Sequence, residues 1–143
     1  MHRISGENVN PTVDTIAKVD SVPVLRTNPS CNVLDTCMGL GYTAIEAASR
    51  IKSIGGGGQV TTIEYDDASL EMSSFNPWSQ ELFDGSLPID VLEGDTCTIV
   101  KEFAAKSFDV VIHDPPARAI CKVCYMNLAP CYTLYTLYTL YTL

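Results

Sequence analysis

Four carboxylates in this chain fall where a parallel sheet would concentrate chemistry. Asp35 closes the apolar run "NVLD", and after Thr36, Cys37 and Met38 comes a glycine turn, "GLGYTA", built on Gly39 and Gly41. Glu64 closes "VTTIE", Asp95 follows "IDVLEG", and Asp114 follows "FDVVIH" and leads into Pro115 and Pro116. The turn satisfies the loose dinucleotide fingerprint G-x-G-x-x-G/A, with Glu64 in the place of the ribose-binding acid. That fingerprint needs the strand to run almost directly into the first glycine, so that a pyrophosphate meets the helix N-terminus. Here three residues intervene, and an acid at the root of the loop would repel a pyrophosphate. A carboxylate there suits a ligand carrying an ammonium group. S-adenosylmethionine (SAM) has one, together with a sulfonium cation. Glu64 can then accept from both ribose hydroxyls and Asp95 from the adenine amine. The plainer reading of Asp95 in "EGDT" is a helix cap.

The elements that must position these groups alternate along the chain. Residues 32–35 read as a buried strand after Asn28-Pro29. Residues 41–51 read as a helix, with Ala44, Ile45, Ala47, Ala48 and Ile51 at helical spacing. Residues 55–58 end it as a flexible glycine loop. A second strand spans 60–64, and Asp66 or Asp67 caps a helix over 68–75. Asn76-Pro77 restarts a helical turn through 83 and places Trp78 in the core. A third strand at 89–92, a helix over 96–105 and a nearly all-apolar fourth strand at 108–113 follow. His113 reads as a strand-end residue packed beside the site rather than a general base. Alternation with continuous apolar strands predicts an α/β domain whose parallel sheet is covered on both faces. In such a sheet ligands bind beyond the carboxyl ends of the strands, and there the four acids stand together.

Composition narrows the partners. The 143 residues are 46% hydrophobic and 18% charged, enough for one domain with a real core. The net charge of −8 is no electrostatic footprint for gripping phosphate backbones, so there is no strong nucleic-acid signal. The polar N-terminus "MHRISGENVNP" carries no signal peptide, and no stretch before residue 119 approaches a membrane span. A cytoplasmic protein with reduced thiols is the expectation for Cys31, Cys37, Cys97, Cys121, Cys124 and Cys131. Cys121-x-x-Cys124 with Cys131 lacks a fourth zinc ligand nearby, so no metal is expected.

At these residues a resemblance becomes specific. "MHRISGENVNPTVDTIAKV", "VLDTCMGLGYTAIEAA", "IEYD", "FNPWSQELF" and "FDVVIHDPPARA" resemble, in order, an archaeal-type family of class I SAM-dependent methyltransferases. The resemblance implies a Rossmann-like sheet with Asp35, Gly39 and Gly41 in the cofactor loop, Glu64 on ribose and Asp95 on adenine. It puts Asp114, Pro115 and Pro116 in the catalytic loop. "DPP" also resembles the loop of amino-methyltransferases, in which a carboxylate and a proline carbonyl accept from a substrate amine and the prolines stiffen the loop. Ala117 stands where that loop carries an aromatic, which leaves base stacking unsupported, and the methyl acceptor stays unidentified.

The resemblance stops near residue 119. Beyond it "YTL" repeats four times, a period matching neither helix nor strand. The expected organisation is a lead-in over 1–30, a partial SAM-binding domain over 31–118 with the first four strands, and a non-family tail over 119–143. On that reading the chain is truncated or frameshifted, the strand at 108–113 is left as an apolar edge, and the chain as written does not transfer methyl groups. The alternatives are an inactive cofactor-binding fragment and a dinucleotide-dependent oxidoreductase. Oligomeric state is not legible.

Overall fold

The computed structural model describes residues 10–114 and the backbone of 132–138. The sheet is built on a strand of three residues, β1 (Val33–Asp35), buried along its whole length. A strand so short holds its place because it is paired on both sides. β2 (Val60–Glu64) lies parallel on one side, with Asp35 opposite Thr62, and β4 (Phe108–His113) lies parallel on the other, with Asp35 opposite Ile112. β3 (Ile89–Glu93) extends the β2 side and β5 (Tyr132–Tyr138) the β4 side, giving the order β3-β2-β1-β4-β5. The chain winds outward from β1 to β3, then crosses back to β4, so the strand order reverses between β1 and β4.

Two apolar layers sandwich this sheet. On one face Val33, Val60, Val110 and Ile112 pack against α1 (Pro11–Asp20), α2 (Tyr42–Ser53) and the 3-10 turns Pro23–Arg26 and Pro77–Leu82, through Val19, Leu25, Ala47, Ile51 and Leu82. On the other, Leu34, Ile63 and Val111 meet Val100, Phe108 and the partly buried Phe103. Phe108 reaches this second face although Val110, two residues on, points to the first. A bulge explains it: the amides of Asp109 and Val110 both donate to the Asn32 carbonyl, which reverses the alternation. Phe108 then meets Phe103 edge-on, with centroids 4.9 Å apart.

Several elements differ from the sequence expectation. α1 stands where only a lead-in was expected. Asn10 caps it by accepting from the Val13 amide, and Pro11 occupies its first turn. α3 (Asp67–Phe75) is capped by Asp66, one of the two candidate caps, with Asp67 as its first residue. α4 (Thr96–Ile99) is far shorter than 96–105, because Lys101 and Glu102 make tighter i−3 bonds that turn the chain toward Phe103. The glycine run at 55–58 is more than a flexible link. A Cβ on Gly58 would lie 2.2 Å from the Cys31 carbonyl, so the run must pass hard against the chain leading into β1.

The largest correction concerns the tail. The Tyr-Thr-Leu repeat forms β5 (Tyr132–Tyr138), parallel to β4, with Val111 opposite Thr136 and His113 opposite Tyr138. β4 is therefore an interior strand rather than an open edge, and the sheet has a fifth strand beyond the four legible ones. A Thr136→Pro, Leu137→Pro double substitution removes two consecutive amide donors and should disrupt this ladder. Deuterium uptake across 108–113 should rise, while 60–64 stays protected. Unchanged uptake at 108–113 would show that β5 does not cover β4.

Candidate functional site

The carboxyl ends of β1, β2 and β4 bring Asp35, Glu64 and Asp114 together, close enough that the charges of Glu64 and Asp114 both act on Asp35. Asp35 is 2% exposed. Its Oδ2 accepts from Thr62 Oγ1 at 2.8 Å, directly across the β1–β2 pair, and its carboxylate also accepts from the Cys37 amide. Burial nevertheless pushes its pKa up to about 6, against the pull of those two bonds, with Asp114 and Glu64 adding repulsion.

Glu64 is held differently. Its Oε2 accepts from the Gly39 amide at 2.7 Å, and its Oε1 from the amides of Tyr65 and Asp66 at 2.9 and 3.0 Å. The carboxylate thus ties the glycine turn of β1 to the end of β2. The Met38 amide reinforces that tie by donating to the Ile63 carbonyl at 2.9 Å. Gly39 (φ +55°) and Gly41 (φ +76°) both adopt the left-handed backbone that favours glycine. Their surroundings differ. A Cβ on Gly39 would meet nothing within 4 Å, whereas one on Gly41 would lie 2.3 Å from Leu82 Cδ1. Gly39 therefore borders open space and Gly41 is a packing requirement. Ser79 Oγ donates to the Leu40 carbonyl at 2.7 Å, and Asn76 Nδ2 to the Tyr42 hydroxyl at 2.9 Å, so the 3-10 turn clamps the outer side of the loop.

Asp95 acts as the cap of α4. Its Oδ1 accepts from the Cys97 amide and its Oδ2 from Thr98 Oγ1, each at 3.0 Å. Asp114 meets a cation that the sequence did not reveal. Lys18 Nζ, on α1, lies 2.6 Å from Asp114 Oδ2 and 2.7 Å from Asp14 Oδ2. Burial pulls the Lys18 pKa down, but its bonds to the two carboxylates outweigh this and hold it above the ordinary value. Pro115 and Pro116 lie outside the described residues, as do Cys121, Cys124 and Cys131. Among the described residues no cluster of three His, Cys, Asp or Glu side chains is placed to hold a metal. Nor is any helix there long and apolar enough to cross a membrane.

His113 is 1% exposed, and its Nδ1 lies 2.6 Å from Thr36 Oγ1. Thr96 Oγ1 donates to the Thr36 carbonyl at 2.7 Å, so the loops after β1 and β3 and the end of β4 share one polar network. Burial pushes the His113 pKa down, against the pull of Asp114. Trp78, expected in the core, is 74% exposed; the Asn76 cap and Pro77 start are as read, but they turn the indole outward. A cavity of about 240 Å³, lined by Leu25, Arg26 and Arg50 among others, lies at the opposite end of α2, where both arginines close on Asp20.

No protein-family model matches the chain. It is 47% identical over 116 residues to an uncharacterized protein of Methanocaldococcus jannaschii, a match covering 81% of this chain and 36% of that one. The chain thus spans about a third of the length of the curated relative it matches. Among solved structures it is similar to a SAM-dependent methyltransferase of Aquifex aeolicus (TM-score 0.55, 13% identity, 87% of this chain and 69% of that one). It is also similar to a spermidine synthase solved with the transition-state analogue AdoDATO (TM-score 0.65, 16% identity, 87% and 41%). The fold is the Rossmann-like methyltransferase fold.

Two outcomes follow from this geometry. Gly41→Ala should cost about 1–3 kcal/mol in urea unfolding, from the left-handed backbone and the Leu82 contact together; a neutral substitution would contradict the packing role. Burial holds the His113 pKa below its ordinary value of 6.5 and so favours the neutral imidazole in the fold. Protonation therefore favours the unfolded chain, and stability is lost as pH falls below about 6.5. Asp35, with a raised pKa, works in the opposite sense in both proteins, so the comparison with a variant isolates the histidine. Wild type should lose, as pH falls below about 6.5, stability that His113→Asn keeps. Parallel pH curves would contradict the buried neutral histidine.

Proposed function

We propose that the chain carries the SAM-binding part of a methyltransferase acting on an amine nitrogen, with residues 31–118 as the cofactor domain. The observation that supports this most directly is Asp35, a buried carboxylate at the switch point whose hydrogen-bond partners among the described residues are a hydroxyl and an amide. A ligand ammonium supplies positive charge; a pyrophosphate would add negative charge to a cluster that already holds three acids. The open space beside Gly39 fits a ligand passing close to the backbone.

In this reading Asp35 holds the ammonium end, Gly39 lets the chain approach the ligand, Gly41 lets the cofactor turn pack against Leu82, and Glu64 takes ribose. Glu64 already accepts three amide bonds of about four lone-pair sites, so accepting both hydroxyls requires one of those amides to release its bond. Asp95 keeps lone pairs beyond its two capping bonds and can accept from the adenine amine. SAM supplies an electrophilic methyl group on a sulfonium. Asp114 orients the acceptor nitrogen and stabilises positive charge as it develops there, while Lys18 fixes the carboxylate in place.

Calorimetry with S-adenosylhomocysteine and, in parallel, NAD tests the assignment. S-adenosylhomocysteine should bind and NAD should not. Glu64→Ala should weaken binding by about 1.5–3 kcal/mol, and Asp114→Ala should leave it nearly unchanged, because Asp114 serves the acceptor. Binding of NAD alone would overturn the reading.

A further inference from the structure

α3 and the 3-10 turn after it present an apolar face that is exposed among the described residues. Met72 and Phe75, about one turn apart on α3, are 49% and 77% exposed, and Trp78 on the following turn is 74% exposed. The residue of α3 that is buried is Ser73. The face is nevertheless rigidly built. Gln80 Nε2 donates to the carbonyls of Ser74 and Asn76, and Ser79 Oγ anchors the turn to Leu40. Large apolar groups held outward on a fixed frame mark an interaction surface.

Charge decides what fits. Between Lys52 and Lys101 the sequence holds nine Asp and Glu residues and no Lys, Arg or His, so all nine Lys and Arg residues lie outside that stretch. Asp67, Glu71 and Glu81 are exposed on the same two elements as the apolar groups. Nucleic acid and anionic lipid are repelled by such a surface, and a second copy of the chain would bring the same charge to it. An uncharged apolar partner would leave the acids unused. A guanidinium satisfies both features: it stacks on Trp or Phe and pairs with carboxylates.

We propose that this face docks an arginine- and lysine-rich segment of a partner protein. The proposal goes beyond the methyl-transfer reading and does not depend on it, since its test uses no cofactor.

Trp78 is the chain's one tryptophan, so its fluorescence reports from the face itself. A synthetic arginine–lysine peptide should change that emission saturably, with affinity falling at least about tenfold from low to high salt. A glutamate-rich peptide of equal length should have no effect. Phe75→Ser, and separately Glu71→Lys with Glu81→Lys, should each weaken binding about tenfold, with thermal melting and circular dichroism confirming that the variants fold. Calorimetry on Trp78→Ser should show the same weakening without the optical reporter. No saturable change, or equal affinity in the folded variants, would overturn the proposal. So would sedimentation showing that the chain self-associates through this face without peptide.

Discussion

A carboxylate cannot be buried at the end of a central strand without consequences, and Asp35 sets the terms for everything around it. Raising its pKa from 3.8 to about 6 makes the ionised form cost about 3 kcal/mol of folding free energy at neutral pH. The sign follows from the direction: stability is lost as pH rises from the ordinary carboxylate value through the folded one. The fold tolerates this because β1 is paired on both sides and Thr62 stands directly opposite. The same burial that costs stability makes Asp35 a strong site for a cation, since a charge brought beside it would relieve the desolvation and the repulsion from Glu64 and Asp114 together.

The loop that follows inherits its shape from neighbours rather than from its own sequence. Glu64 draws in Gly39, the Ile63 carbonyl holds Met38, Ser79 holds Leu40, and Leu82 packs where any side chain on residue 41 would stand. β2 and the turn Pro77–Leu82 thus form a two-sided clamp on the glycine turn. On the far side of β1, α1 reaches across to β4 through Lys18 and Asp114. The site is assembled at the strand-order reversal because that is where these separate elements meet.

Much of this was legible in the chain, for local reasons. Residues 60–64 and 108–113 are strands to the residue, because short runs rich in Val, Ile and Thr bounded by turn residues favour a strand. Asp66 and Asn76 cap as their residue types suggest. The Asn10-Pro11 pair carries the same start signal as Asn76-Pro77, and it opens α1. Other features are not local. Lys18 and Asp114 are 96 residues apart in sequence, and no periodicity links them. A three-residue repeat cannot alternate two faces, yet Tyr132–Tyr138 pairs with β4 through the backbone, which periodicity of side chains does not report. The Asn76-Pro77 restart suggests a core place for Trp78, whereas the geometry of the cap points the indole outward.

The central claim is that Asp35 is a buried carboxylate prepared for a cation. Carbon-13 NMR of its side-chain carboxyl across a pH titration, without and with S-adenosylhomocysteine, measures this directly. The account predicts a midpoint near 6 in the free protein and a clear fall in the complex. A midpoint in the ordinary carboxylate range in the free protein, or one that ligand leaves in place, would contradict it.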